Sequence, residues 1–180
     1  IRNFTFTPTP IKGDIAFENV SFRYEDTGIE ALKEVSFQIE KGQTVAIIGK
    51  TGSGKTTLLD LIARMYEATE GEVCIDGQPV QQLNLHSLRE AISVVPQETF
   101  LFSDTIRNNL RYGNNATDEE IVAACEKAVV HHNIVEFTHQ YDSILGERGV
   151  SLSGGQRQRV AIARALLKPA EIYLLDDCRY

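Results

Sequence analysis

The chain has 180 residues, of which 42% are hydrophobic and 24% are charged, a balance that suits one α/β domain with a core of its own. No apolar run approaches the roughly 18–20 residues of a membrane-spanning helix, and no secretion signal is expected at the start. The net charge of −7 argues against a broad nucleic-acid-binding surface, so nucleic acid is not among the expected partners. The three cysteines match no metal or redox spacing and are expected to be reduced thiols: Cys74, Cys125 and Cys178.

The first third of the chain indicates an extended linker followed by antiparallel strands. Residues 1–13 carry no periodicity and are predicted to form the linker. Residues 15–17 and 20–22 alternate, but the phase slips at Glu18 and Asn19, which predicts a bulged strand. Further strands are predicted at 35–39 and 72–75. This part of the chain is therefore predicted to form an antiparallel β subdomain.

The central motif is the run Gly49-Lys50-Thr51-Gly52-Ser53-Gly54-Lys55-Thr56, which has the form of a phosphate-binding loop. The β-branched residues 44–48 predict a strand that leads into it, and residues 57–65 predict a helix that leaves it. Backbone N–H groups of the loop can then meet the phosphates at the positive end of the helix dipole. In this arrangement Lys55 contacts the phosphates and the Thr56 hydroxyl ligates Mg²⁺. A glycine-rich turn that binds nothing is the alternative, and the strand–loop–helix context argues against it.

The rest of the chain supplies two further strands and a helical region. Residues 91–95 are predicted to form a buried strand, and residues 172–175 are an apolar run typical of a parallel strand buried on both faces. Between them the pattern is helical, with a capping box predicted at Thr117. Asp176 follows the last strand, where a phosphate-binding fold needs a carboxylate for its metal. His131 and His132 are adjacent, so they make a poor metal pair and are predicted to be surface or packing residues.

The stretch Ser153-Gly154-Gly155-Gln156 begins a second helix with two interpretations. In the structural interpretation, Ser153 caps the helix and the glycines allow a tight entry. In the functional one, the Ser153 side chain and the glycine amides meet a γ-phosphate. One chain seldom needs two such termini for one nucleotide, whereas two chains facing head to tail would need both.

Taken together, these motifs resemble those of the nucleotide-binding domain of an ATP-binding-cassette (ABC) transporter. Residues 49–56 match the Walker A motif, 152–156 the family signature and 172–176 the Walker B motif. The resemblance extends over 14–180 and implies an α/β fold. That fold is a P-loop NTPase (RecA-like) core with a flanking antiparallel β subdomain and an α-helical subdomain at about 101–158. Residues 1–13 would then be the linker from a membrane domain.

The resemblance also implies ligands and roles for single residues. ATP and Mg²⁺ are the expected ligands; Tyr24 falls where an aromatic residue stacks on adenine, and Thr57 continues the phosphate site. Gln97 falls where the family's glutamine contacts both the metal and the attacking water. Mg²⁺ would be held by Thr56, Gln97 and Asp176, and Lys55, Gln97 and Asp177 would carry hydrolysis.

By the same resemblance, the expected partners are a second nucleotide-binding domain and the coupling helices of a transmembrane domain. Walker A of each domain would face the signature of the other in a head-to-tail dimer on the cytoplasmic face of a membrane. Two stretches are similar to the exporter branch: residues 99–103 and residues 146–149, the latter near the coupling helices.

Asp177 departs from the family pattern, which usually has glutamate after Walker B. Aspartate is one methylene shorter, and a shortfall of about 1.5 Å in reach can break contact with the attacking water. In the family, exporters built from two different halves often carry aspartate in the half that hydrolyses poorly. The hypothesis is that this chain is such a half. The alternative is that Asp177 works through an ordered water.

The chain ends at Tyr180, before the family's D-loop, its switch histidine and a strand of the core sheet. A truncated fragment is therefore expected, in which residues 44–48 and 172–175 present unpaired apolar edges. Two competing functions remain: a soluble ABC-type ATPase and a nucleotide-gated dimerisation module without turnover. A soluble ATPase of this type would be expected to have coiled-coil insertions or a basic face, and this chain has neither.

Overall fold

The computed structural model describes residue 5, residues 7–146 and residues 149–177. These residues form two compact units. The first unit runs to Ile92 and includes Ala170–Ile172. The second unit comprises Ser93–Pro169 and continues from Tyr173. No helix in the described part of the chain is long and apolar enough to cross a membrane.

The first unit is built on an antiparallel sheet of four strands in the order β2-β1-β3-β4. The strands are β1 (Ile15–Arg23), β2 (Glu30–Ile39), β3 (Glu70–Ile75) and β4 (Gln78–Pro79). Ile15 and Phe17 point into the core, because alternate residues of a strand share one face. Three of the predicted strands are therefore present, in the antiparallel arrangement that the alternation indicates.

The predicted bulge is also present in β1. The pairing register of β1 with β3 shifts between Glu18 and Ser21, and Asn19 has a φ of 51°. On β3, Gly71 has a φ of 74°, and a Cβ at this position would meet the backbone carbonyls of Glu18 and Asn19. The bulge therefore requires glycine on the strand that faces it.

Two helices and the linker pack on the first unit. Helix α1 (Lys55–Ile62) buries Leu58, Leu61 and Ile62, and helix α2 (Leu85–Glu90) follows the sheet. The linker forms no helix or strand from residue 7 to residue 14. The Asp76 carboxylate accepts hydrogen bonds from the backbone N–H groups of residues 12, 13 and 14, at 2.6, 3.0 and 3.0 Å. This carboxylate holds the end of the linker against the sheet.

The predicted strand at residues 44–48 is absent, and this prediction was wrong. These residues have no regular secondary structure, and the exposed fractions of Val45, Ile47 and Ile48 are 50%, 39% and 94%. A strand needs a partner for its N–H and C=O groups, and no strand among the described residues pairs with this segment. The apolar side chains of this segment are therefore exposed instead of buried in a sheet.

The second unit combines a short strand pair with four helices. Strands β5 (Ile92–Val95) and β6 (Ile172–Leu175) are the two strands that the apolar runs predicted, and they pair with each other in a two-stranded sheet. Val95 and Asp176 are hydrogen-bonded at one end of the pair, and Ala91 and Ile172 at the other, so the strands run parallel. The helices are α3 (Ile106–Arg111), α4 (Asp118–Lys127), α5 (His131–Val135) and α6 (Gly154–Leu167).

Strand β6 is buried on one face only, which corrects the prediction of burial on both. Ile172 and Leu174 are buried, whereas Tyr173 and Leu175 are 44% and 50% exposed. Within the described residues β6 pairs with β5 alone. A sheet of two strands covered on one side leaves alternate side chains exposed.

The helices enclose a separate core in the second unit. Its most buried members include Ile106, Ile121, Cys125 and Val160, all 0% exposed. Burial raises the pKa of the Cys125 thiol to about 11, so the thiol is protonated at neutral pH. The predicted capping box begins α4, where Thr117 and Glu120 bond to each other's backbone N–H. The helical pattern of the sequence therefore corresponds to a packed structure.

Candidate functional site

The predicted site residues divide between the two units. The first unit contains Tyr24 and the loop of residues 49–57. The second unit contains Gln97, the signature residues 153–156, and the acidic pair Asp176 and Asp177. The geometry of each set follows within its own unit.

The phosphate loop leads directly into helix α1. Gly54 is the residue before the helix and has a φ of 86°, in the left-handed region. A Cβ on Gly54 would meet the Ala31 carbonyl oxygen, and a Cβ on Gly49 would lie 2.5 Å from Ser53 Oγ. Gly54 therefore requires glycine, because its φ is positive and the atom that a Cβ would meet is backbone, whereas at Gly49 the Ser53 side chain would have to move. The N-terminus of the helix that follows Gly54 is a suitable place for an anion.

Lys55 lies across this loop. Its Nζ donates hydrogen bonds to the carbonyl oxygens of Gly49 and Lys50, both at 2.9 Å. The Ser53 N–H donates to the Lys50 carbonyl at 3.2 Å, which closes the turn. A cation and a row of backbone amides therefore lie together at the positive end of α1, an arrangement that suits phosphate groups.

Tyr24 follows strand β1 and is half-buried. Its hydroxyl oxygen lies 2.8 Å from Thr57 Oγ1, and Thr57 is in the first turn of α1. Its ring forms edge-to-face contacts with Phe22 and Tyr66. The structure thus brings the predicted adenine-stacking residue to the helix that begins at the phosphate loop. No sequence pattern indicated the Tyr24–Thr57 contact or the contact with Tyr66.

Gln97 and Asp177 meet in the second unit. Gln97 Nε2 donates to Asp177 Oδ2 at 3.2 Å, and Gln158 Nε2 of α6 donates to the Asp177 carbonyl at 3.1 Å. Asp177 has a φ of 42°, so its backbone is in the left-handed region. Asp176 is buried, and its N–H donates to the Val95 carbonyl at 2.9 Å. The two acids therefore stand at the end of β6, as the sequence predicted.

The signature residues form a capping box at the start of α6. Ser153 Oγ accepts from the Gln156 N–H at 3.2 Å, and Gln156 Oε1 accepts from the Ser153 N–H at 2.9 Å. Gly154 and Gly155 are exposed, and a Cβ on either would meet nothing within 4 Å. The structural interpretation of Ser153 is therefore correct, and the glycine face remains accessible.

A groove of about 450 Å³ connects these residues of the second unit. It is lined by Gln97, Glu98, Thr99, Gly154, Arg157, Gln158 and Asp177. One signature glycine and the predicted catalytic pair therefore share a polar surface.

The two exporter-like stretches also lie in the second unit. Phe100 and Phe102 are 65% and 36% exposed and stack edge to face, and Phe102 also contacts Tyr112, which is 63% exposed.

Asn109, which no sequence pattern singled out, holds the loop that contains Phe102. Its buried amide accepts from the Phe102 N–H at 2.7 Å and donates to the Phe102 carbonyl at 3.0 Å. The sequence signal that could have identified Asn109 is a polar residue on the apolar face of α3. In the stretch 146–149, residues 147 and 148 lie outside the described residues.

The weaker candidates have structural roles. His131 Nδ1 lies 2.8 Å from the Tyr141 hydroxyl, and His132 is exposed. Cys74 and Cys125 are buried free thiols, whereas Cys178 lies outside the described residues. No group of three His, Cys, Asp or Glu side chains in the described ranges is placed to hold a metal. Mg²⁺ typically binds through one or two carboxylates plus substrate phosphates and waters, and Asp176 is the carboxylate among the predicted ligands.

Comparison with known proteins agrees with this geometry. The family described as ABC transporter matches residues 32–179. Heavy metal tolerance factor 1 of Caenorhabditis elegans is 46% identical over 170 residues, which are 94% of this chain and 21% of that protein. ATP-binding cassette sub-family B member 6 of Mesocricetus auratus is 52% identical over 167 residues, 92% of this chain and 20% of that protein. The chain thus spans about a fifth of the length of these relatives.

A solved structure shares the fold. It is described as a bacterial Atm1-family ABC exporter with ATP bound, and it superposes with a TM-score of 0.90 at 39% identity. The match covers 99% of this chain and 32% of that one. The α/β architecture with its antiparallel sheet is therefore that of an ABC exporter ATP-binding domain. This chain belongs to the ABC transporter family, in its exporter branch.

Proposed function

We propose that this chain binds Mg²⁺-ATP and uses its hydrolysis to power export of a substrate across a membrane. The observation that carries the proposal is the glycine-capped start of α1, with Lys55 held across the loop. At Gly54 a Cβ would meet the Ala31 backbone carbonyl, so the loop tolerates no side chain at this position. Such a loop is built for a polyphosphate.

The remaining ligand contacts follow from the matched motifs. Tyr24 would stack on the adenine ring, and residues 49–57 would hold the phosphates. Thr56, Gln97 and Asp176 would supply oxygen ligands to Mg²⁺, which when bound neutralises charge that develops on the phosphates. Asp177 would take up the proton of the attacking water, or orient that water, with Gln97 as its hydrogen-bond partner.

We propose further that Asp177 makes this chain's own site weakly hydrolytic. Two features support this: aspartate is one methylene shorter than glutamate, and its Oδ2 is already engaged by Gln97 Nε2 at 3.2 Å. A carboxylate held back from the water is a poor general base. The chain would then act as one half of a pair of different chains. Action of Asp177 through an ordered water remains the alternative.

The partners proposed for this domain are a second nucleotide-binding domain and transmembrane coupling helices. The exposed Gly154 and Gly155 at the start of α6 support a head-to-tail contact with a nucleotide held by the partner. The exposed cluster of Phe100, Phe102 and Tyr112 supports an apolar contact with coupling helices. The domain would lie on the cytoplasmic face of the membrane, joined to its membrane part through the linker at residues 1–13, with residues 14–180 forming the domain itself.

The decisive experiment compares Mg²⁺-ATP binding and phosphate release by the unmodified protein and by Asp177→Glu. Binding with slow release in the first, and faster release in the second, is expected because glutamate reaches the water. Lys55→Ala is the control that should lose binding by about 100-fold, since charge-assisted hydrogen bonds to phosphate are strong. Equal release by the unmodified protein and Asp177→Glu would contradict the weakly hydrolytic site.

A second candidate function is a nucleotide-gated dimerisation module in which ATP joins two chains without turnover. Asp177, which supports a weakly hydrolytic site, also favours this dimerisation module. Phosphate release by Asp177→Glu with and without a partner half distinguishes the two functions. Release only with the partner supports the transporter ATPase, and ATP-dependent dimerisation without release in either case supports the module.

A further inference from the structure

Two backbone hydrogen bonds fix the position of Tyr24 without contact to a ligand. Its N–H donates to the Ile29 carbonyl at 3.0 Å, and its carbonyl accepts from the Gly28 N–H at 2.8 Å. These two hydrogen bonds connect the far end of the loop of residues 24–29 to the backbone of Tyr24. The Cα–Cβ direction of this residue is therefore set by the loop.

The ring and the hydroxyl of Tyr24 are held by three other side chains. The ring centroid lies 4.9 Å from that of Phe22 and 5.5 Å from that of Tyr66, with interplanar angles of 86° and 85°. The hydroxyl oxygen lies 2.8 Å from Thr57 Oγ1. Phe22 and Thr57 are buried, at 6% and 4% exposure, so both are rigid supports. All of these residues belong to the first unit.

Stacking on a base needs a ring and no hydroxyl. A tyrosine that only stacked would be equivalent to phenylalanine. Here the hydroxyl bonds to Thr57, which directly follows Thr56 of the phosphate loop and lies in the first turn of α1. The helix that begins at the phosphate loop therefore also holds the ring. A ring held in advance loses less conformational freedom when it binds a ligand.

We infer that Thr57 and Tyr66 are positioning residues that orient the Tyr24 ring for the nucleotide base. The inference rests on the proposed function, in which Tyr24 stacks on adenine. It adds that base recognition depends on the Tyr24–Thr57 hydrogen bond as well as on the aromatic ring. Base affinity and the start of α1 are therefore coupled.

The test measures the affinity of the protein for ATP and for inorganic tripolyphosphate by titration calorimetry. Tyr24→Phe is expected to weaken ATP binding by about 3- to 10-fold, because the released ring must then be ordered on binding, at the cost typical of one side chain. It should leave tripolyphosphate binding unchanged, because that ligand has no base. Tyr141→Phe is the matched control, since it also removes a bonded hydroxyl, one that lies 2.8 Å from His131 Nδ1. That control should change neither affinity.

Further variants at Thr57 and Tyr66 separate a positioning role from general damage to the protein. Thr57→Val is expected to weaken the binding of both ligands, because Thr57 also belongs to the phosphate site. In that background, Tyr24→Phe should weaken ATP binding by less than about 1.5-fold, since its partner is already lost. Tyr66→Ala should weaken ATP binding by about 2- to 5-fold, whereas Tyr66→Phe retains the ring contact and should not.

Several results would overturn the inference. One is a Tyr24→Phe variant that binds ATP as tightly as the unmodified protein. A second is a Tyr24→Phe variant that loses the same ATP affinity in the unmodified protein and in the Thr57→Val background. A third is an equal loss of ATP and tripolyphosphate affinity in Tyr24→Phe, which would indicate general damage. Failure of the unmodified protein to bind ATP would instead overturn the proposed function, and with it this inference.

Discussion

The two functional helices of this protein begin in opposite ways. Helix α1 begins after Gly54, which has no side chain and a φ of 86°. Helix α6 begins after Ser153, which forms a reciprocal capping box with Gln156. Both helices have glycine at the N-terminus. In α6, side-chain oxygens accept hydrogen bonds from N–H groups at the start of the helix, whereas α1 has no such side-chain cap.

The difference indicates how each terminus would meet a phosphate. The first N–H groups of any helix lack partners within the helix. At α1, an anion held by the loop and Lys55 would accept hydrogen bonds from these N–H groups. At α6 the box already stabilises the helix, so this terminus holds its shape without a ligand. We expect α1 to depend on its loop geometry and α6 to depend on its cap.

The largest effect is expected at Gly54. Gly54→Ala should destabilise the first unit by about 3 kcal/mol, because alanine is strained at positive φ and its Cβ meets the Ala31 carbonyl. Gly42→Ala is the matched control, with a φ of 82° and nothing within 4 Å of a Cβ. It should cost only about 1–2 kcal/mol. Urea unfolding measures both, and equal losses would show that the contact with Ala31 is unimportant.

A smaller effect is expected at the α6 cap. Ser153→Ala should destabilise the second unit by about 1 kcal/mol, through loss of the bond to the Gln156 N–H. Thr117→Ala removes the same kind of box from α4 and should cost a similar amount. Hydrogen exchange of the two helices checks this. Phosphate release by a dimer should fall in Ser153→Ala alone, and an equal fall in both variants would attribute the effect to stability.

The smallest effect concerns the acid sensitivity of the second unit. The hydrogen bond from Arg107 lowers the pKa of Asp142 below its ordinary value of 3.8. A carboxyl whose pKa is lower in the folded state stabilises that state above its ordinary pKa. This contribution is lost as the pH falls through the folded-state pKa. Both partners are at the surface, so the effect is small and falls with salt.

The measurement compares thermal unfolding of the unmodified protein and Asp142→Asn from neutral pH to strongly acidic pH. The variant should be slightly less stable at neutral pH, and the difference should disappear once the pH is below the folded-state pKa of Asp142. A difference that persists unchanged in strong acid would contradict the Arg107–Asp142 contribution. The α6 capping box, which consists of Ser153 and Gln156 and contains no titratable side chain, should not show this dependence.

Much of the fold could be predicted because its signals are local. The slip of alternation at Glu18 and Asn19 predicted a bulge that the register shift confirms. The box at Thr117, the strands at 91–95 and 172–175 and the helical stretch were predicted in the same way. Motifs within a few residues of one another are governed by backbone geometry, which the residue types specify directly.

Other features depend on which segments meet. Residues 44–48 have strand composition but no strand partner among the described residues, so they are exposed. Strand β6 has the composition of a strand buried on both faces but pairs with β5 alone in the described part of the chain. Asn109 and Phe102, like Tyr24 and Thr57, are pairs whose contact no spacing rule reveals.

Residue types and their spacing were thus sufficient for the family, the phosphate loop, the signature and the positions of the acidic pair. Three features became visible only once the chain was folded: the bond between Tyr24 and Thr57, the bond between Gln97 and Asp177, and the choice of which apolar segments are buried. The two groups differ in the range of the interactions behind them. Loop and cap geometry follow from neighbouring residues, whereas burial and side-chain pairing follow from which remote segments pack together.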